Sequence, residues 1–263
     1  MRLLGALCVV LLSCATAHAH ELPSDQLRTV RFEQRIGAAV PLDLSFIDEV
    51  GRAVALRDVV GGKPVLLTLN YLQCQNLCPL ELQGLIGGLN GLSYVLGADY
   101  TLLTVSFDTR ETPDVAATAK FKALRGYRHP ESAAGWHVLT TSDQATIDAL
   151  TSAVGFSYVY DAQEDEYAHP LGVIALTPDG EISRYVYGLD FSATDLRLAL
   201  TTAGAGQLGS VAEQVLLLCY QYDALTGRYT PWVMDALKVA GGATILGLGG
   251  LLWSLARADP KRT

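Results

Sequence analysis

Positive charge is scarce in this sequence. Lysine and arginine number 19 against 27 aspartates and glutamates, for a net charge of −8. A nucleic-acid partner needs a basic face to neutralise phosphates, so that class of partner is excluded. Charge of either sign is low, at 17% of residues, while 50% are hydrophobic. The chain has apolar material for a full core and for membrane segments. Cysteines are few, 5 in 263 residues, too sparse for a fold stapled by a disulfide framework. Internal repeats and low-complexity tracts are lacking too, and the length suits one domain of moderate size with appendages.

The two ends carry apolar signals. Arg2, the apolar run Leu3 to Leu12 and the small-x-small pattern Ala17-His18-Ala19 read as a secretory signal over 1–19, cleaved before His20. Lipoprotein processing at Cys14 is the rival, since Leu11-Leu12-Ser13-Cys14 resembles a lipobox. Either route exports the chain and leaves Cys74, Cys78 and Cys219 in the folded part. That count is odd, so at least one thiol has another task or is simply buried. Val239 to Ala256 carries no charge and just reaches the length of a spanning helix, expected over 236–257. Trp232 and Trp253 sit where interface aromatics belong, and Arg257, Lys261 and Arg262 would keep a tail over 258–263 in the cytoplasm. The body would then lie on the periplasmic side of an inner membrane. Between these ends we expect an exposed lead-in over 20–35, a folded domain over 36–205 and a juxtamembrane extension over 206–235.

Within the domain, Pro41 to Leu56 reads as a β-hairpin turning at Asp48–Arg52. Val65 to Leu69 and Thr101 to Phe107 are unbroken runs typical of buried strands. A stripe of Leu82, Leu85, Ile86, Leu89, Leu92 and Leu96 marks a helix between them. Thr112-Pro113 starts a second helix running to about Leu124, and Trp136 to Leu139 is a short strand. Thr141-Ser142-Asp143-Gln144 resembles a capping box ahead of another helix. Tyr158–Tyr160, an acidic turn over 163–167, Leu171–Thr177 and Ile182–Tyr187 follow as strands and turns, and Ser192 opens a last helix. Parallel strands joined by helices and closed by an antiparallel hairpin make an α/β sandwich of thioredoxin type, with an N-terminal hairpin extension and the C-terminal transmembrane helix.

The stretch that organises this order is Asn70-Tyr71-Leu72-Gln73-Cys74-Gln75-Asn76-Leu77-Cys78-Pro79. Pro79 suits the first helical position, which puts Cys78 at the N-cap and Cys74 in the loop ahead. The positive end of a helix favours thiolate over thiol. Two neighbouring thiolates can form a disulfide or hold a soft metal ion, and the Cys-x-x-x-Cys spacing is wider than that of dithiol oxidoreductases. Two sulfurs alone are an incomplete metal site, so a third ligand is required.

Cys74-x-x-x-Cys78-Pro79 after an apolar strand, Ser106-Phe107-Asp108-Thr109-Arg110-Glu111-Thr112-Pro113 and His169 ahead of a strand hairpin together resemble the SCO/SenC family. These are membrane-tethered, thioredoxin-like copper proteins of cytochrome c oxidase assembly, and the match covers residues 36–203. The resemblance implies copper, as Cu(I) or Cu(II), bound by Cys74, Cys78 and His169. It also implies delivery to an oxidase subunit carrying a copper centre, a copper donor protein upstream, and an inner-membrane anchor. Two departures stand out. The family often has Asp before the histidine, where this chain has Ala168, so a supporting carboxylate is missing. The family anchor is N-terminal, whereas here it is expected at the C-terminus.

Soft sulfur favours Cu(I) and imidazole keeps Cu(II) accessible; zinc could take the same donors. Three function classes follow. The first is a copper metallochaperone. The second is a thiol–disulfide oxidoreductase that reduces the oxidase's copper-ligand cysteines, with Cys74 and Cys78 as its redox pair. The third is a peroxide-reducing enzyme, disfavoured because Leu72-Gln73 precede Cys74 in place of a peroxidatic threonine arrangement. His20, His129 and His137 are weaker ligand candidates, Cys219 reads as a small packed residue, and Asp108 could shape the site entrance or stabilise its turn. Glu164-Asp165-Glu166 reads as a solvated turn, with partner docking as the alternative.

Overall fold

A computed structural model describes residues 22–208 and, beyond them, only the short pieces 222–223, 228–229, 238–239, 241–242 and 244–248. The signal expected over 1–19, Cys14, His20, Cys219 and most of the span expected over 236–257 lie outside the described residues. Among the described residues no helix is long and apolar enough to cross a membrane, so the C-terminal membrane helix gains no support here. The chain divides after Leu208 into two units.

In chain order the first unit runs α1 (Ser24–Leu27), β1 (Arg31–Phe32), β2 (Ser45–Ile47), β3 (Ala53–Ala55), α2 (Leu56–Val60), β4 (Val65–Asn70), α3 (Cys78–Leu89), β5 (Thr101–Ser106), α4 (Pro113–Leu124), β6 (Trp136–Leu139), α5 (Gln144–Ala153), β7 (Phe156–Ser157), β8 (Val159–Asp161), β9 (Glu166–Ala168), β10 (Gly172–Leu176), β11 (Ile182–Tyr187) and α6 (Ala193–Gly204). In the second unit Tyr222–Asp223 pairs antiparallel with Arg228–Tyr229.

The main sheet has five strands in the order β11-β10-β4-β5-β6. β4 and β5 run parallel with Val65 opposite Thr101 and Asn70 opposite Ser106, and β6 continues parallel beside β5. β10 lies antiparallel to β4, and β11 antiparallel to β10. All six residues of β4 are buried because alternate side chains feed two cores. Val65, Leu67 and Leu69 pack with α2 and α5 residues such as Val59, Ile147 and Leu150. Leu66 faces the other way, onto Leu85, Ile86 and Leu89 of α3 and Leu196 and Leu200 of α6. This two-sided α/β sandwich is the thioredoxin-like architecture anticipated above. α3 also lies directly on the segment after β11. A Cβ on Gly84 would stand 1.8 Å from the Leu189 carbonyl oxygen, and one on Gly88 2.3 Å from that of Phe191, so only glycine fits at either position.

Several details differ from expectation. The N-terminal hairpin is shorter than Pro41–Leu56: β2 and β3 pair Ser45 with Ala55 and Phe46 with Val54, and Leu56 already begins α2. Its turn is tied by Asp48, which accepts from the Val50 and Arg52 amides at 3.1 and 2.8 Å. The lead-in is not merely exposed. Phe32 pairs with Phe156 across β1–β7 and packs edge-on against the Phe156 and Tyr185 rings. One buried aromatic in a polar stretch leaves no period to read. α3 stops at Leu89, C-capped at Asn90, so Leu92 and Leu96 reach the core from the following turn rather than from the helix. At the other helix starts, Asp143 and Ser192 accept from the amides of Ala145 and Asp195, while Thr112 occupies the α4 N-cap without a side-chain cap bond.

Candidate metal centre

The site forms past the carboxyl end of β4, where a parallel strand delivers its loop above the sheet and ligand sites of α/β folds gather. Tyr71 to Leu77 form that loop. Cys78 is the first residue of α3, with Leu77 rather than Cys78 at the N-cap. The second arm arrives from far along the chain. β8 and β9 form a hairpin, Val159 opposite Ala168, and His169 follows β9 directly. Its Nε2 lies 2.9 Å from the Cys78 sulfur, although 91 residues separate the two.

The His169 tautomer follows from its other nitrogen. Nδ1 sits 3.0 Å from the Pro170 carbonyl oxygen, which can only accept, so Nδ1 carries the hydrogen and Nε2 presents a lone pair. A backbone carbonyl thus orients the ring. Burial holds the imidazole pKa down to about 4, so the ring is neutral at physiological pH. Its walls are aromatic: ring centroids of Phe107, Phe156 and Tyr71 stand 5.2, 6.0 and 6.0 Å away.

The two thiols differ. Cys74 is half-buried and Cys78 is buried, and both are free. The Cys78 thiol and, against the cost of burial, the Tyr71 hydroxyl stabilise charge on the Cys74 sulfur, bringing its pKa down to about 5. The same neighbour and burial push the Cys78 thiol far up. The helix-end argument favours thiolate without ranking the two sulfurs. Burial and the neighbouring sulfur rank them, with Cys74 shifted down and Cys78 up. Cys78 therefore holds the one proton lying between three soft or borderline donors.

Among the described residues no three His, Cys, Asp or Glu side chains are already arranged to hold a metal ion. Metal–sulfur and metal–nitrogen bonds of about 2.3 and 2.0 Å set their donors roughly 3.5 Å apart. The 2.9 Å separation is a hydrogen bond, which must lose its proton and open by roughly half an ångström to admit a cation. The donor chemistry fits a soft cation: one thiolate, one neutral imidazole lone pair and one thiol that a metal would deprotonate.

Sequence reasoning missed several supporting residues. Glu81, one turn beyond Cys78, is buried, accepts the Gly172 amide at 2.5 Å and is pushed up to about 8 by burial. Its signal was a charge inside the apolar stripe of α3. Glu111 is also buried and accepts the amides of Leu72 and Gln73 at 2.9 and 2.8 Å. The acidic turn is exposed at Glu164 and Asp165 as expected, and two of its carboxylates also have partners. Glu166 accepts the Asn76 amide at 2.7 Å, and Asp165 pairs with Arg110 at 2.6 Å. Asp108 grips that same arginine at 2.7 Å. The two other described histidines have different surroundings: His129 is exposed beside Glu131, and His137 is half-buried on β6.

Comparisons with known proteins bear on the fold and the family. Curated protein sequences give no match. Among solved structures, a proposed electron transfer protein from Aquifex aeolicus VF5 is similar, at TM-score 0.58 and 25% identity over 68% of this chain and 98% of its own. A SCO1/SenC family lipoprotein from Bacillus anthracis str. Ames shares the fold at TM-score 0.53 and 12% identity, covering 66% of this chain and 99% of its own. Arabidopsis thaliana ScoI with copper bound aligns at TM-score 0.48 and 17% identity over 63% of this chain and 96% of its own. The SCO1/SenC family model matches residues 33–199, more than half of the chain and all of the elements that carry the two thiols and the imidazole: the chain belongs to the SCO1/SenC family.

Proposed function

We propose that this protein binds copper through Cys74, Cys78 and His169 and passes it as cargo to a cytochrome c oxidase subunit during assembly of that subunit's copper centre. The observation that carries the reading is the meeting of Cys78 and His169 at 2.9 Å, across 91 residues of sequence, in a member of a family associated with copper. Two sulfurs suit Cu(I), and the imidazole keeps Cu(II) within reach. Loading requires both thiols reduced, so the disulfide state and metal transfer are linked. The same reading has the signal over 1–19 export the domain and the apolar stretch over 236–257 anchor it to the inner membrane, with the copper donor outside the cytoplasm.

The test is anaerobic reduction followed by Cu(II) addition. An intense sulfur-to-copper charge-transfer band is expected, lost in Cys74→Ala and Cys78→Ala and displaced in His169→Ala. A His169→Ala protein with wild-type affinity and an unchanged visible spectrum would sink the ligand assignment.

A second reading, thiol–disulfide exchange with the oxidase's own cysteines, draws on the asymmetry of the pair. Cys74 is the more exposed thiol and ionises near pH 5, the profile of an attacking thiol. Exchange should survive His169→Ala, whereas copper delivery should not.

A further inference from the structure

The turn between β5 and α4 touches both arms of the site from adjacent residues. Glu111, 5% exposed, accepts the N–H groups of Leu72 and Gln73, the two residues just ahead of Cys74, and the Ser106 hydroxyl at 2.5 Å. Those amides lie past the end of β4, where the strand ladder no longer pairs them. Arg110 points the other way. Its Nη1 reaches Asp165 at 2.6 Å near the tip of the β8–β9 hairpin, four residues before His169. Its Nε and Nη2 are clamped by buried Asp108 at 2.9 and 2.7 Å. Its guanidinium lies over the rings of Tyr160 and Tyr167, 5.3 and 5.7 Å from their centroids.

We propose that Arg110 and Glu111 are positioning residues for the metal centre: the turn is a brace that sets the separation of the thiols from the imidazole. The need for one follows from the topology. The β8–β9 pair is a separate two-stranded ladder outside the five-stranded sheet. β10, which begins three residues after His169, pairs with β4 and fixes the base of the histidine arm. The hairpin ahead of His169 has no strand pairing to the cysteine loop, so side chains must hold it there. A charge-assisted fork on one side and a carboxyl group taking two backbone amides on the other are the rigid means available. The brace rests on the copper reading for its purpose, but its structural content does not.

The test uses the full-length reduced protein, first without metal. Amide hydrogen exchange at Leu72 and Gln73 should accelerate at least tenfold in Glu111→Gln, with Leu85 and Ile86 of α3 unchanged. In Arg110→Met, a half-exposed position that leaves the core intact, the His169 ring resonances should shift. Copper competition should then show each variant weakened by about 10- to 100-fold, the scale of supporting contacts around metal ligands, with a displaced charge-transfer band. Arg110→Lys should restore only part, since a lysine cannot reproduce the fork. Unchanged exchange, resonances and affinity in both Arg110→Met and Glu111→Gln would overturn the brace. Wild-type protein that takes up no copper would overturn the copper reading instead, and the metal-free measurements would still decide the brace.

Discussion

The cysteine arm hangs between two regular elements, β4 with 6 residues and α3 with 12, whereas the histidine arm threads β7, β8 and β9, none longer than 3 residues. Backbone hydrogen bonds fix the first. Rings fix the second: Phe107 stands 4.6 to 5.4 Å, centroid to centroid, from Tyr158, His169, Phe156 and Tyr167. The lesson is that one site can join an arm held by ladders to an arm held by packing, and the two should fail differently.

The largest effect should come from removing the centre of the aromatic cluster. Phe107 is buried, and Phe107→Ala should cost about 3–5 kcal/mol of stability. Leu85→Ala, in the core behind α3, should cost a similar ~2–5 kcal/mol. Denaturant unfolding measures both. The arms part company in the copper spectrum: Phe107→Ala should displace the charge-transfer band because His169 loses its wall, and Leu85→Ala should leave it in place. If Leu85→Ala disturbs the spectrum as strongly, the two arms are one packing unit and the contrast fails.

Proton release sharpens the comparison next. With Cys74 ionised above about pH 5 and His169 neutral above about pH 4, only the Cys78 proton must leave when a cation binds at neutral pH. One proton released means apparent copper affinity rises about tenfold per pH unit between pH 6 and 8. Below about pH 5 the slope should steepen as Cys74 also takes a proton. Competition titrations corrected for the chelator's own protonation read this directly. A slope of two between pH 6 and 7 would mean that Cys74 or His169 still binds a proton there, against the downward shifts of both.

The same contrast explains what could be read in advance. β4, the cysteine loop and α3 carry their own local signals: an apolar run, a proline and a stripe of leucines. The differences there lie at the helix ends, one residue at the N-cap and an earlier stop at Leu89, because end geometry depends on the path of the flanking loops. His169 had no such signal. It was picked out through the family resemblance, since the short strands around it show no period and its partners lie 91 residues upstream. The turn at 163–167 reads as solvated acid for the same reason. Nothing local says that Asp165 meets Arg110 or that Glu166 meets Asn76. The ranking of the two thiols had no local signal for a different reason. A helix end is a weak local field, and the neighbouring sulfur and burial, both tertiary, outweigh it.

The smallest effect tests an exposed polar strap between the arms. The Asn76 side-chain amide donates to both Glu166 carboxylate oxygens at 2.7 Å. It ties the cysteine loop to β9 without passing through the brace. Its geometry is as good as that of the Glu111 contacts, so distance alone would rank the two equal. Solvent separates them. Asn76 is exposed, so in Asn76→Ala water takes over the freed carboxylate at little cost. The net loss should stay near the ~0.5–1.5 kcal/mol of an ordinary hydrogen bond or below it. Copper affinity should fall less than about tenfold at that cost, with the unfolding midpoint almost unmoved. Glu111 differs because its carboxyl group is itself buried, so water replaces its amide contacts less readily. An Asn76→Ala loss as deep as that of Phe107→Ala would mean a surface contact, rather than packing and buried carboxyl bonds, holds the imidazole over the sulfurs.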